Sequence, residues 1–348
     1  MTMTKMMSEI NEQPEILKNL ESVNKETLTA LCAELKSKNI KRCTFTARGT
    51  SYHASIYAQF LLAAKCGIVS SYAMASWVTV YGSTLFSAED LVIGVSQSGY
   101  AADALAVLEE ARKNGAVTVA VTNDKESPMA KFADYHLFCA AEEEISVAAT
   151  KTFTSEMGAL LLLAAYWSED KALLANFAEL HKSIAAALKI CDEKISDLTD
   201  KFVNLEHGFV LSRGLTYPIA LEATLKSQET CYVKMKGYSV ADFYHGPLAQ
   251  VDEKTAIILF AMKGASQKDN LAMADKLREI GAQPLVVTDD EEVAKAAPLS
   301  FLLPDTGSEF TSPFVCAIFA QRFAESLCGK KGLNPDQPRN LKKVTVTK

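Results

Sequence analysis

Short apolar runs alternate with longer segments of helical composition along this chain. RCTFTA, DLVIGVS and VTVAVT lie in the first half, and GFVLS, AIILFA and PLVVT lie in the second. Runs this short and this continuously apolar are typical of parallel strands covered on both faces, with helices between them. We therefore predict an α/β fold of two domains, each a doubly wound parallel sheet flanked by helices.

The two halves also match each other in detail. Arg48-Gly49 recurs as Arg213-Gly214 at an offset of 165 residues, and KNGAVTVAVTND recurs as EIGAQPLVVTDD at an offset of 166. Two matches at nearly the same offset indicate an internal duplication.

The order of elements predicts the domain boundaries. Residues 1–40 form a leading helical segment, 41–168 the first domain, 169–200 a helical connector, 201–335 the second domain and 336–348 a C-terminal tail. The most apolar stretch, GALLLLAAYW, is too short to span a bilayer and is predicted to be a buried helix.

Composition excludes several classes of partner. The formal net charge is −6, and no cluster of Lys or Arg favours nucleic acid or an anionic membrane. The eight cysteines form no CxxC pair, which is typical of reduced core thiols. The N-terminus has no apolar export segment. We therefore expect a cytoplasmic protein, and no set of metal ligands is recognisable in the sequence.

Hydroxyl side chains follow two predicted strands of the first half. Thr50 and Ser51 follow the first strand, and Ser96, Gln97 and Ser98 follow the second. In open α/β sheets ligands bind beyond the carboxyl ends of the strands, where helix N-termini attract anions. Because neither GxxxxGK[ST] nor GxGxxG occurs, we predict a site for one phosphate on a small molecule. The alternative is that these are ordinary turn and cap residues.

The second half lacks these hydroxyls and carries charges instead. In YPIALEATLKSQE, Glu222, Lys226 and Glu229 share one face of a helix. The surrounding residues are mostly apolar, which favours burial over an ordinary solvated ion pair. His245 follows in a turn forced by Gly-Pro, where a structural and a catalytic role both remain open.

These segments together resemble the sugar isomerase (SIS) domain family. RGTSYHA, VSQSG, VAATKTFT, YPIALEATLKSQE, HGPLA and DQPRNLKKVTV occur in family order from about residue 43 to the C-terminus. They are most similar to the isomerase half of the glutamine:fructose-6-phosphate amidotransferases. The resemblance implies two tandem SIS domains, a sugar phosphate as ligand, and neither a metal nor another cofactor.

The resemblance also implies which residues contact the substrate. It assigns the sugar phosphate to Thr50, Ser51, Ser96, Gln97 and Ser98. It adds as further substrate contacts Gly49, Val147 and Ala149.

The catalytic roles are likewise implied by the resemblance. Glu229 would move a proton between C1 and C2, supported by Glu222 and Lys226. His245 would open the sugar ring from a neighbouring subunit, which implies a homodimer with a shared active site. Lys343 in the C-terminal tail would contact the open-chain carbonyl and could form a Schiff base.

The chain departs from the amidotransferase pattern at several positions. The glutaminase domain with its catalytic cysteine is missing, so we expect no glutamine hydrolysis by this chain alone. Tyr100 and Ala101 replace an acidic residue and a threonine, Ala149 replaces a serine, and Arg48 replaces a cysteine. The phosphate and amine sides of the pocket are therefore expected to differ from those of the amidotransferases.

Three functions fit this pattern. We predict a glucosamine-6-phosphate deaminase, which joins a C1–C2 proton transfer to C–N bond cleavage. The alternative is a deglycase of fructoselysine or glucoselysine 6-phosphate, which breaks a C–N bond with the same catalytic residues. A non-catalytic sugar-phosphate sensor is a lesser alternative, because a sensor has no need of the proton-transfer residues.

Overall fold

The computed structural model describes residues 3–343. Its ten strands are β1 (Arg42–Thr46), β2 (Val69–Tyr72), β3 (Asp90–Val95), β4 (Val117–Thr122), β5 (Tyr135–Phe138), β6 (His207–Ser212), β7 (Lys234–Ser239), β8 (Ala256–Phe260), β9 (Leu285–Thr288) and β10 (Ser300–Leu302). Its twelve α-helices in the described residues are α1 (Lys5–Ser37), α2 (Gly49–Leu61), α3 (Ser76–Thr79), α4 (Ala102–Lys113), α5 (Pro128–Phe132), α6 (Lys151–Ser168), α7 (Lys171–Asp200), α8 (Tyr217–Cys231), α9 (Val240–Phe243), α10 (Gln267–Glu279), α11 (Glu291–Ala296) and α12 (Ser312–Lys330).

The strands form two parallel five-stranded sheets with the same topology. One sheet has the order β2-β1-β3-β4-β5, and the other has the order β10-β9-β8-β6-β7. Numbered from its own first strand, each sheet has the order 2-1-3-4-5, which is a doubly wound arrangement with a switch point between its first and third strands. The predicted α/β class with two doubly wound sheets is confirmed.

The six predicted apolar runs correspond to the three central strands of each sheet. The edge strands β2, β5, β7 and β10 were not predicted. Their residues are partly exposed and mix polar with apolar side chains, so they lack the continuous apolar pattern of a strand covered on both faces.

The described residues separate into two compact units. The first-sheet unit contains 15–144, 151–178 and the tail residues Lys342 and Lys343, and the second-sheet unit contains 3–14, 145–150 and 179–341. Both α1 and α7 cross from one unit into the other.

The cores consist of apolar residues from the strands and from the most apolar helices. Residues 151–165 of α6 are all buried, in agreement with the buried helix predicted for GALLLLAAYW. All eight cysteines are free thiols, and all but Cys66 are buried. Between residues 3 and 343, no helix is long and apolar enough to cross a membrane.

Candidate active site

The residues predicted to bind phosphate lie at the switch point of the first sheet. Thr46 at the end of β1 pairs with Gly94 in β3, so the chain leaves both strands at the same edge. α2 begins at Gly49, shortly after β1, and residues 96–98 directly follow β3. The fold thus brings the first turn of α2, with Thr50 and Ser51, and the loop after β3 to the part of an open sheet where ligands bind.

A glycine shapes the loop that follows β3. Gly99 has a φ of +69°, and a Cβ at this position would lie 2.2 Å from Ser127 Oγ. The tight turn lets the Gly99 N–H donate to Ser96 Oγ at 3.2 Å. In this part of the structure, neither Arg48 before α2 nor Ala101 before α4 caps its helix with a side chain. Helix N-termini of this kind attract anions.

Ser51 is engaged inside its own unit. Its hydroxyl donates to Glu156 Oε1 at 2.8 Å in buried surroundings. Because a phosphate oxygen accepts hydrogen bonds, the Ser51 hydroxyl cannot give the same proton to a phosphate. A contact from Ser51 would therefore come from its main-chain N–H in the first turn of α2.

The charged residues predicted on one helix face form a buried ion cluster in α8. Lys226 Nζ lies 3.3 Å from Glu222 Oε1 and 2.6 Å from Glu229 Oε2. The Glu222 and Lys226 side chains are fully buried, whereas the Glu229 side chain keeps 20% of its surface exposed. Of these three residues, Glu229 is therefore the one that can contact a ligand.

The cluster keeps Lys226 protonated. Burial alone would lower the pKa of this ammonium, but the charges of Glu222 and Glu229 outweigh burial and raise the pKa above its ordinary value. A cation enclosed by two carboxylates satisfies the requirement that buried charges be paired. The arrangement places a fixed positive charge directly against the Glu229 carboxylate.

His245 lies on the surface of its unit. It follows α9 in an exposed turn, where the main-chain N–H of His245 donates to the main-chain oxygen of Asp242 at 3.0 Å. The next residue, Gly246, has a φ of +132° and open space around the position of a Cβ. An exposed imidazole of this kind is accessible to another molecule.

The tail lysine contacts a buried acid of the first-sheet unit. Lys343 Nζ lies 2.7 Å from Glu144 Oε2, and the Glu144 side chain is fully buried. Glu144 also accepts a hydrogen bond of 2.7 Å from Thr152 Oγ1 at the start of α6. Glu156, the partner of Ser51, lies one turn further along α6. Ser51 is therefore bonded to α6 directly, and Lys343 is linked to it through Glu144. Residues 344–348 of the tail lie outside the described residues.

The other predicted substrate contacts lie in a short segment of the second-sheet unit. Val147 and Ala149 are half-buried and follow Ser146, which is held by Glu9. The Glu9 carboxylate accepts the Ser146 N–H at 3.2 Å. Both positions remain predictions as ligand contacts.

The switch point of the second sheet is occupied by the protein's own carboxylates. In the loop after β8, the Lys263 N–H donates to Asp289 Oδ1 at 2.7 Å, and the Ala265 N–H donates to Glu309 Oε2 at 2.8 Å. Lys263 Nζ pairs with Asp305 at 2.9 Å. Burial raises the pKa of Asp289. Loop N–H groups already bound to carboxylates leave this position unsuited to a phosphate.

A model of the SIS domain family matches residues 36–166 and 201–321. The chain belongs to the SIS domain family. The two matched segments contain the two parallel sheets, as the resemblance implied.

Comparison with individual proteins agrees with the family. The chain is 33% identical over 343 residues to the isomerizing glutamine--fructose-6-phosphate aminotransferase of Aquifex aeolicus, covering 98% of the chain and 57% of that relative. The chain thus spans little more than half of the curated relative. The C-terminal domain of glucosamine-fructose-6-phosphate aminotransferase from Francisella tularensis has a TM-score of 0.86 at 26% identity, covering 96% of the chain and 98% of that domain.

A third comparison concerns the fold alone. The structure of glucosamine-6-phosphate deaminase from Thermotoga maritima has a TM-score of 0.77 at 21% identity, covering 99% of the chain and 100% of that protein. Within residues 3–343, no group of three or more His, Cys, Asp or Glu side chains is arranged to hold a metal ion.

The sequence analysis missed two acids that bind predicted substrate-contacting residues. Glu144 and Glu156 are buried acids that bind Lys343 and Ser51. Glu156 occurs within the apolar helix segment TFTSEMGALLLL. A single acid in such a segment is a signal for a buried polar contact.

Proposed function

We propose that this protein is a phosphosugar isomerase-type enzyme that acts as a glucosamine-6-phosphate deaminase. The observation that carries the proposal is the α8 cluster, in which a buried Lys226 holds the partly exposed Glu229. A non-catalytic binding site has no need of a buried ammonium fixed against an accessible carboxylate. A proton-transfer enzyme needs a carboxylate that is held in position and can reach its substrate.

The proposed reaction begins at the phosphate end. The loops after β1 and β3 bind the phosphate through Ser96 and Ser98, with Thr50, Gln97 and the first-turn N–H groups of α2 and α4 as further donors. Hydrogen bonds to a charged group contribute about 1.5–3 kcal/mol each. This grip holds the sugar while its other end reacts.

The chemistry then takes place at C1 and C2. After ring opening assisted by His245, Glu229 removes the C2 proton of the open-chain aldehyde to give an enolamine. Return of a proton to C1 gives a C2 ketimine, and water adds to this imine with release of ammonia and fructose 6-phosphate. Lys343 donates to the C1 oxygen, which becomes a hydroxyl in the product.

A product assay tests this function. Purified protein is incubated with glucosamine 6-phosphate, fructoselysine 6-phosphate and glucoselysine 6-phosphate, and fructose 6-phosphate, glucose 6-phosphate, ammonia and free lysine are measured separately. We expect ammonia and fructose 6-phosphate from glucosamine 6-phosphate, and neither from the Glu229→Gln variant. Release of lysine without ammonia would support the deglycase instead. Tight binding without any product would support the sensor.

We also propose that His245 acts in the active site of a second copy of the chain, in a homodimer. Its exposed turn supports this proposal. Mixing the Glu229→Gln and His245→Ala variants, each inactive alone, is expected to restore part of the activity through mixed dimers. Absence of any restored activity, with subunit exchange demonstrated by differently tagged copies, would place His245 in its own chain's site.

A further inference from the structure

Arg48 links the two loops at the first switch point. Its Nη2 donates to Asp103 Oδ2 at 2.6 Å, and its Nη1 donates to Tyr72 Oη at 2.6 Å and to Ala47 O at 3.1 Å. Arg48 immediately precedes Gly49 of α2, and Asp103 lies in the first turn of α4. The ion pair therefore spans the gap between the loop after β1 and the helix that follows β3.

The second sheet contains the same ion pair at the equivalent place. Arg213 Nη1 lies 3.0 Å from Asp269 Oδ2 in the first turn of α10. Arg213 has φ and ψ of −136° and 151°, nearly those of Arg48 at −140° and 154°. In both units the arginine precedes a glycine with positive φ. The pair thus recurs in both copies of the duplication.

The recurrence separates two roles for Arg48. An arginine beside a phosphate loop would ordinarily be interpreted as a phosphate ligand. The second switch point, however, has the same pair although its loop N–H of Ala265 is bound by Glu309. A pair that persists where carboxylates exclude phosphate has a role that does not depend on phosphate.

We propose that Arg48 and Asp103 form a clamp that sets the spacing of the two phosphate-binding loops, and that Arg48 is a positioning residue for the phosphate and not its ligand. The proposal rests on the proposed phosphate site. The Asp103 side chain is only 8% exposed, so it provides a fixed anchor. The guanidinium is held by Asp103 through Nη2 and by Tyr72 through Nη1, and these two contacts fix the direction in which α2 starts. The distance between the N-termini of α2 and α4 is thereby fixed.

The test is a double-mutant cycle in the full-length protein, with Arg48→Ala, Asp103→Asn and the double variant. The probe is fructose 6-phosphate, with its Kd measured by calorimetry. A clamp predicts that each single variant raises Kd by about tenfold and that the double variant is no worse than either single variant. Arg213→Ala is the matched control and is expected to leave Kd unchanged.

A phosphate ligand would behave differently. If Arg48 bound the phosphate directly, Asp103→Asn would release the guanidinium and remove a negative charge, so Kd would stay constant or fall. That result would overturn the clamp. Equal losses of affinity in Arg48→Ala and Arg213→Ala would also overturn it, because they would indicate general destabilisation.

A second measurement needs no ligand. Amide hydrogen exchange is expected to rise in residues 96–101 of both single variants, and in residues 262–267 of Arg213→Ala. Unchanged exchange in residues 96–101 would overturn the clamp. If wild-type protein fails to bind fructose 6-phosphate, the proposed function fails, while the exchange data still decide whether the ion pair spaces the loops.

Discussion

The two sheets share one topology and one arginine–aspartate ion pair, yet different polar groups lie at their switch points. The loop at the first has hydroxyls at Ser96 and Ser98, whereas the loop at the second is bound by the carboxylates of Asp289 and Glu309. The helices that follow the first strand of each sheet also differ: α8 has a buried ion cluster, and the equivalent positions of α2 do not. The duplicated halves therefore share their framework and differ in where their polar groups lie.

The helix contrast is clearest at equivalent positions of the duplication. Tyr57 and Leu61 of α2 stand where α8 has Glu222 and Lys226, and all four are buried. The first copy thus buries Tyr57 and Leu61 in its helix and has its hydroxyls Ser96 and Ser98 in the loop after β3. The second copy fills its loops with its own carboxylates and carries the ion cluster on its helix.

Replacing Lys226 by methionine is expected to lower the free energy of unfolding, and this is the largest effect that we predict. The change leaves the buried Glu222 and the Glu229 carboxylate without their cation, and breaking a buried ion pair costs about 3–5 kcal/mol. The matched control is Leu61→Met in α2, expected to cost less than about 1.5 kcal/mol. Urea unfolding of both variants checks this prediction. Equal losses would contradict the view that α8 depends on its buried charges.

Glu229→Gln is expected to separate catalysis from stability. The amide keeps the shape of the side chain but cannot accept the C2 proton, so kcat is expected to fall about 100-fold or more with little change in KM. Steady-state kinetics with glucosamine 6-phosphate provide the measurement, and the exposed Glu292→Gln on α11 is the control. Near-normal turnover by Glu229→Gln would locate the base elsewhere.

Removing the hydroxyls tests the first switch point. The Ser96→Ala and Ser98→Ala double variant is expected to raise KM about tenfold or more, because each lost hydrogen bond to a charged phosphate is worth about 1.5–3 kcal/mol. We expect kcat and the unfolding midpoint to change little. Ser266→Ala, in the loop after β8, is the matched control. An equal rise in KM for Ser266→Ala would remove the distinction between the two switch points.

The smallest effect is expected at the second switch point. Glu309→Gln weakens the hydrogen bond to the Ala265 N–H and is expected to lower stability by about 1 kcal/mol without changing KM. Urea unfolding and steady-state kinetics of this one variant give both values. A rise in KM here would show that the second loop contributes to substrate binding.

The sequence predicted the central strands well because strands covered on both faces need continuous apolar residues. It did not predict edge strands such as Val69–Tyr72, whose exposed side permits polar side chains. The hydroxyl loops could also be predicted, since strand ends and helix starts fix their place. A phosphate site was predicted from this placement, whereas the assignment of a sugar phosphate to these residues comes from the family resemblance.

Long-range polar contacts could not be predicted from the sequence. The bond from Ser51 to Glu156 joins residues 105 positions apart, and Lys343 reaches Glu144 across 199 positions. No local pattern encodes such separations, because they depend on how helices pack. The Arg48–Asp103 pair was missed for the same reason. Its counterpart in the second half of the duplication is Arg213–Asp269.

The most direct test of the division between the two switch points is a crystal structure with glucitol 6-phosphate, an open-chain sugar phosphate that lacks the reacting carbonyl. We predict phosphate oxygens at about 3 Å from the hydroxyls of Ser96 and Ser98, and no phosphate at residues 262–266. Phosphate density at residues 262–266, or a sugar phosphate bound away from Ser96 and Ser98, would contradict this account.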